Sequence, residues 1–244
     1  LVARMSQPSA SSISVSSDGK SYVTSGGIGG TFSGSAGYFL RRPTGANGFG
    51  AYSTSDQVLA NWDGTGKVAI VTGSAGGLGF ETARALASKG AEVIVTARDQ
   101  AKAEAAAEKL RALLPGGAKL TPMAVDLSDL ASVHAFAQAF LATRKPLNIL
   151  INNAGIMALP KYGATKDGIE QQLGVNHCGH FALTNLLLPH IIASAKSSGV
   201  EGRIVSVASS AHHMAYPEGV LLDKYNDESR YTHWGAYGRS KLAN

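Results

Sequence analysis

From Lys67 to Ala208 the sequence alternates short apolar runs with longer helix-forming stretches, and this rhythm restricts the fold more than any other feature. The apolar runs are Val68–Val71, Glu92–Thr96, Leu120–Val125, Leu147–Ile151 and Arg203–Ala208. Between them, helix is predicted from about Gly79 to Ser88, over 100–114 up to Pro115-Gly116-Gly117, over Asp129–Thr143, and through most of Gly168–Ser198. Strands this short and apolar are buried on both faces, and a helix between successive strands makes each pair parallel. The expected fold is therefore α/β: a doubly wound parallel sheet, the Rossmann arrangement.

Residues 1–54 lack this rhythm. They hold Ser- and Gly-rich stretches ("SASSISVSSDGK", "SGGIGGTFSGSAGY"), almost no acid, and Arg4, Lys20, Arg41 and Arg42. Such a segment buries too little apolar surface to offset its ordering entropy, so an irregular, flexible extension is expected. Its aromatics Tyr22, Phe32, Tyr38, Phe39, Phe49 and Tyr52 offer points for docking onto a neighbour in a larger complex. Ser-rich, acid-poor and Arg-bearing composition is also that of an organelle transit segment, which points to a plastid. Thr54 and Gln57 have capping-box spacing for a short helix from Ser55 to about Asn61, so the folded domain is set at residues 55–244.

Composition narrows the function. The net charge of +5 comes from scattered basic residues, which argues against nucleic-acid binding. The longest apolar run, Leu186–Ile192, is broken by Pro189 and His190 and falls well short of the roughly 20 residues that span a bilayer, so no transmembrane segment is expected. The single cysteine, Cys178, excludes an internal disulfide and a cysteine zinc cluster. It fits a reducing, intracellular compartment, the cytoplasm unless the N-terminal segment directs import.

In "VAIVTGSAGGLGFETARALA", Gly73, Gly77 and Gly79 fall between the first strand and the first helix. Glycines there allow a tight turn and close approach of a diphosphate, with the helix N-terminus facing its charge. The spacing is G-x-x-x-G-x-G after Thr72, with Ser74-Ala75-Gly76 inside the turn. At the end of the second strand an acid would bind the adenosine ribose hydroxyls, whereas Arg suits a 2′-phosphate. Here Ala97 takes the acid's place and Arg98 follows, with Asp99 beside it. Asp126 alone reads as a helix N-cap, and Asn152 and Asn153 as turn formers.

Tyr237 and Lys241 in "YGRSKLAN" lie four apart, on one face of a helix. A phenol, with an ordinary pKa of about 10, handles protons poorly at neutral pH, and a nearby ammonium lowers that value. Ser209 and Ser210 both follow the fifth strand, where ligands bind in such sheets, and either hydroxyl could polarise a carbonyl. Asn176, inside an otherwise helical stretch, costs helix propensity and so is expected to have a task. His177 and His180 are read as packed or capping residues rather than metal ligands, so no metal site is expected.

Taken in order, "TSDQVL", "VAIVTG", "GLGFETARALA", "INNAGIM", "VNHCGHF", "RIVSV", "AHH" and "AYGRSKLAN" resemble the short-chain dehydrogenase/reductase family over about Ser55–Asn244. They are most similar to the branch holding retinol dehydrogenases, the WW-domain oxidoreductase and plastid translocon-associated reductases. The resemblance implies NADP(H)-dependent interconversion of an alcohol and a carbonyl, often lipophilic, with NADP(H) in preference to NAD(H). It implies Tyr237 as general acid/base, Lys241 lowering its pKa and holding the nicotinamide ribose, Ser209 on the carbonyl oxygen, and Asn176 supporting a proton relay. Cofactor contacts are implied at Gly73, Ser74, Gly77, Leu78, Gly79, Arg98, Asp126, Leu127, Asn153, Ala154, Gly155, Tyr237 and Lys241.

The family commonly forms homo-oligomers. The chain departs from it in three places. The glycine turn lacks the usual Asn, so a stabilising side-chain bond is missing or replaced. Residues 1–54 have no counterpart. The family also continues beyond Asn244, so the expected fold is this sheet with its C-terminal strands and helices missing. A reductase-like scaffold subunit, binding nucleotide without turnover, is the competing expectation.

Overall fold

The computed structural model describes residues 12–15, 21–24, 45–50, 52–114, 116–221 and 223–244. The chain divides into two compact units, 1–62 and 63–244.

In the first unit, β1 (Ser12–Val15) and β2 (Ser21–Thr24) pair antiparallel, Ser12 opposite Thr24 and Val15 opposite Ser21. Helix α1 (Ser55–Val58) carries the expected capping box: Thr54 Oγ1 accepts from the Gln57 amide at 3.2 Å, and Gln57 Oε1 accepts from the Thr54 amide at 2.9 Å. It stops three residues short of Asn61, with Leu59 as its C-cap. Phe32, Tyr38, Phe39 and most of the Ser/Gly-rich extension lie outside the described residues, as does Pro115 of the predicted helix stop.

The second unit is the doubly wound sheet. Its strands are β3 (Val68–Val71), β4 (Glu92–Ala97), β5 (Leu120–Ala124), β6 (Ile149–Asn152) and β7 (Arg203–Ser206). All are parallel, in the order β5-β4-β3-β6-β7. The order reverses between β3 and β6, which opens a crevice at their carboxyl ends. The intervening helices are α2 (Gly77–Ser88), α3 (Gln100–Leu113), α4 (Leu130–Ala142), α5 (Gln171–Leu173), α6 (Gly179–Ser198) and α7 (His233–Leu242).

Side-chain alternation buries both faces of the three central strands, β3, β4 and β6. The edge strands depart from that expectation: β5 is mostly half-buried and β7 mostly exposed. Val68, Ile70, Ile94 and Leu150 form one core with Phe136 and Phe140 of α4 and Leu183, Leu187 and Ile191 of α6. Their neighbours Ala69, Val71, Val93, Val95, Ile149 and Ile151 point the other way and are equally buried. Asp99 caps α3 and Asp129 caps α4, each accepting backbone N–H groups of the first turn. Asp126 is therefore not the cap of α4. Its carboxylate instead closes a local turn, accepting from the Ser128 amide at 2.9 Å and hydroxyl at 2.6 Å. Strand β7 ends at Ser206, two residues before the predicted limit, where the chain turns toward a short 3₁₀ helix over Ser210–Met214. Among the described residues, no helix is long and apolar enough to cross a membrane.

Candidate active site

The glycine turn is tight for two separate reasons. Gly73 has φ of +66°, and a Cβ there would lie 2.9 Å from Ala154 Cβ. A Cβ on Gly79 would lie 2.4 Å from Asn153 Nδ2 and 2.5 Å from Gly73 O. Cβ atoms on Gly76 and Gly77, at the mouth of α2, would meet nothing within 4 Å. Inner glycines thus seat the turn on the 153–155 segment while outer ones leave room for a ligand. Leu78 projects into solvent beside them.

Ser74 accounts for the unusual turn sequence. Its fully buried Oγ donates to Val71 O at 2.9 Å and accepts the Thr96 amide at 2.7 Å. Thr96 Oγ1 in turn accepts from the Gly73 amide at 3.1 Å. The Ser74–Thr96 pair clasps the turn to β4, the task the family's Asn was expected to perform. The Ser74 hydroxyl is thereby spent within the protein, and its amide also donates to Thr96 O at 3.1 Å.

Arg98 leaves the end of β4 exposed and without an ion pair among the described residues. Asp99, which would compete for it, is engaged elsewhere. Its carboxyl caps Lys102 N at 2.9 Å and pairs with Lys102 Nζ at 2.7 Å, which holds its pKa below the usual carboxylate value. Leu127 is buried beneath α6, and a Cβ on Gly179 would lie 2.5 Å from its carbonyl oxygen.

Thr72, just before the turn, ties the crevice together. Its Oγ1 accepts the amides of Asn153 at 2.8 Å and Ala154 at 2.9 Å, and lies 2.8 Å from His180 Nε2. Asn153 Nδ2 also donates to Thr72 O at 2.8 Å. These bonds fix the segment on which the inner glycines of the turn are seated.

Asn176 sits in a π-helical turn over Gly174–Cys178, between α5 and α6. Such a turn carries one residue more than α-geometry allows, and that pushes the Asn side chain inward. Its Oδ1 accepts from the Ile156 amide at 2.8 Å, and its Nδ2 donates to Ile156 O at 2.9 Å and Ser240 Oγ at 2.8 Å. Ser240 Oγ donates to Tyr237 O at 2.7 Å. The amide orientation is thus fully determined, and it reaches directly into α7.

Helix α7 carries Tyr237, half-buried, and Lys241 one turn further on. Lys241 Nζ donates to Val207 O at 2.8 Å, and burial lowers its pKa. A Cβ on Gly155 would lie 3.2 Å from Asn176 Oδ1 and 3.9 Å from Lys241 Nζ, so these groups converge on one point of the crevice wall. Gly238 brings α7 against the backbone after Ser209: a Cβ there would lie 2.5 Å from Ala215 N and 2.7 Å from Ala211 O. Within that segment the two serines differ. Ser209 is half-buried and its Oγ accepts from Ala211 N at 3.1 Å, leaving its hydrogen available to donate, whereas Ser210 is exposed.

The short chain dehydrogenase family model matches residues 67–221. The chain belongs to the short-chain dehydrogenase family. Within it, this member is 46% identical over 200 residues to the chloroplastic short-chain dehydrogenase TIC 32 B of Brassica napus, covering 82% of this chain and 62% of that protein. It is 47% identical over 179 residues to human retinol dehydrogenase 12, covering 73% of this chain and 54% of the relative. The chain thus spans less than two thirds of the length of these curated relatives.

Among solved short-chain dehydrogenase structures, a metagenomic oxidoreductase in complex with NADP matches with TM-score 0.57 and 28% identity, covering 74% of this chain and 72% of that one. An uncharacterized protein from Mycobacterium paratuberculosis matches with TM-score 0.63 and 40% identity, covering 78% and 61%.

Four buried supports of this crevice, Thr72, His180, Arg239 and Gln172, escape a reading of the sequence. Thr72 looks like a strand end, His180 like a packed histidine, and Arg239 like a surface cation between Tyr237 and Lys241. Arg239 is instead buried, donating to Tyr225 O at 2.9 Å and to Glu170 Oε2. Gln172, also buried, accepts from Ala158 N at 2.7 Å and donates to Tyr231 OH at 3.0 Å. A polar residue on the inward side of a helix was the available signal; its partners lie too far along the chain to be guessed.

Proposed function

We propose that this chain carries the cofactor-binding and proton-handling parts of an NADP(H)-dependent oxidoreductase that interconverts an alcohol and a carbonyl compound. The observation that carries this reading is the unbroken hydrogen-bonded connection from Ile156 through Asn176 and Ser240 to Tyr237, with Lys241 closing on the same wall at Gly155. A scaffold without chemistry has no use for such alignment.

The crevice fits a nicotinamide dinucleotide. Gly76 and Gly77 leave open space at the N-terminus of a 12-residue helix, where a diphosphate is favoured. Arg98, without an ion pair among the described residues, suits the 2′-phosphate. Asp126, Leu127, Asn153, Ala154 and Gly155 are the further positions at which the family resemblance implies cofactor contacts. When bound, the nicotinamide supplies or accepts the hydride.

The chain's own residues handle the proton. Tyr237 delivers it to the carbonyl oxygen, or removes it in the reverse direction. Lys241 uses one N–H on Val207 O and keeps two for the Tyr237 oxygen and the nicotinamide ribose. Ser209, its Oγ anchored by the Ala211 amide, donates its hydrogen to the substrate oxygen. The retinol dehydrogenase relatives support a lipophilic substrate, and the chloroplastic relatives together with the N-terminal composition support a plastid location.

NADPH oxidation by the full-length protein over a panel of aldehydes and ketones tests the reading. Tyr237→Phe is expected to lower kcat by at least about 100-fold while NADPH still binds. Equal rates in the two proteins would overturn it.

A further inference from the structure

We propose that His180 is a positioning residue: one neutral Nδ1–H tautomer holds the Thr72–Asn153–Ala154 wall in fixed register with Asn176. The inference rests on the reading above and extends it to a residue buried behind the crevice wall.

The hydrogen positions follow from the partners. His180 Nδ1 lies 2.9 Å from the Asn176 carbonyl oxygen, which can only accept, so Nδ1 carries the hydrogen. The ring is deeply buried, and burial pushes its pKa down to about 4, so Nε2 is bare at neutral pH. Lys241 on α7 and His177 on the π-helical turn also disfavour a second proton. Nε2 therefore accepts the Thr72 hydroxyl hydrogen at 2.8 Å, ahead of Ile151 O at 3.3 Å. With that hydrogen committed, both Thr72 lone pairs face the amides of Asn153 and Ala154.

In this arrangement each donor of the His180–Thr72 network meets an acceptor. Flipping the tautomer would set two acceptors against each other at Asn176 and crowd three donors onto Thr72. The imidazole is thus a rigid spacer with a built-in direction. One end sets the wall on which the glycine turn is seated, and the other sets the residue that aligns Ser240 and α7.

Two variants of the full-length protein cut the spacer at opposite ends. His180→Gln keeps an acceptor near the Nε2 position for Thr72 but removes the donor to Asn176. His180→Asn keeps an N–H near the Nδ1 position but removes the acceptor for Thr72. For His180→Gln, kcat is expected to fall about 10-fold while NADPH affinity by fluorescence stays within about 2-fold. For His180→Asn, NADPH affinity is expected to weaken about 10-fold, with faster hydrogen exchange at the Asn153 and Ala154 amides. Wild-type affinity, kcat and exchange in both variants would overturn the proposal.

Imidazole ¹⁵N spectra of the wild-type protein decide the matter even if both variants fail to fold. They should show a protonated Nδ1 and bare Nε2 from about pH 8 to about pH 5. An Nε2–H tautomer, or a midpoint near the ordinary value of about 6.5, would refute it. The spectra need no turnover. Failure of the Tyr237→Phe test with an intact Nδ1–H tautomer would therefore fault the catalytic reading and not the spacer.

Discussion

Arg239 Nη2 lies 3.3 Å from Glu170 Oε2, with the two side chains 5% and 1% exposed. Glu170 also caps α5, accepting the Gln172 and Leu173 amides at 2.9 Å each. The pair therefore joins the start of the Asn176 segment to the helix bearing Tyr237 and Lys241. Removing one partner strands the other's charge in the interior, so Arg239→Ala should cost about 3–5 kcal/mol in urea denaturation. Arg239→Met combined with Glu170→Gln should lose much less. A single variant within about 1 kcal/mol of wild type would show that the pair is not holding the helix.

Gly238→Ala tests how closely α7 must approach the Ser209 segment. The added Cβ would press on the backbone at Ala211 and Ala215, and neither can yield as a side-chain tip would. Displacement by about 1 Å at a site of this kind can cost about 100-fold in rate. Steady-state kinetics should show kcat down by at least about 10-fold, with NADPH affinity within about 3-fold. A variant with unchanged kcat would mean the helix has room to spare.

Arg98→Ala separates the two nicotinamide dinucleotides. Loss of a charge-assisted contact to the 2′-phosphate should weaken NADPH by about 10-fold or more and leave NADH nearly unchanged. Titration by cofactor fluorescence reads both. An unaltered preference would remove Arg98 from the site.

His180 also gives a pH signature. Its folded pKa of about 4 lies below the ordinary value of 6.5, so the unfolded chain binds more protons between those values. Stability from this group is full above about pH 6.5 and is lost as pH falls toward about 4, by up to about 3 kcal/mol. Lys241 and His177 act in the same sense by opposing the proton. Urea denaturation at about pH 7.5 and about pH 5 should therefore differ more in wild type than in His180→Gln. Parallel loss in both would assign the acid sensitivity to other groups.

Much of the frame was legible because its signals are local. The strands announce themselves as apolar runs, and Thr54 with Gln57 marks a capping box at a helix start. Gly73, Gly77 and Gly79 mark a turn whose backbone has no other solution. Tyr237 and Lys241 could be paired because a helix makes residues four apart neighbours.

What stayed hidden is set by residues distant in sequence. Ser74 reads as a loss of the expected Asn until Thr96 appears beside it from the next strand. Asp126 reads as the cap of the helix after β5, yet Asp129 accepts the Ala131 and Ser132 amides and Asp126 closes the turn before it. The π-helical turn at Asn176 leaves no periodicity of its own, because a single extra residue is lost within a long apolar helix.

The Thr72 hydroxyl bears on how the molecule assembles. Its partners Asn153, Ala154 and His180 enter the chain 81, 82 and 108 residues after it. No early fragment, nor any folding intermediate lacking β6 or α6, can present this wall. Contacts of such long range form late and slowly. Nucleotide would then be recognised only by chains that have finished folding, and through that preference it would pull the last step to completion.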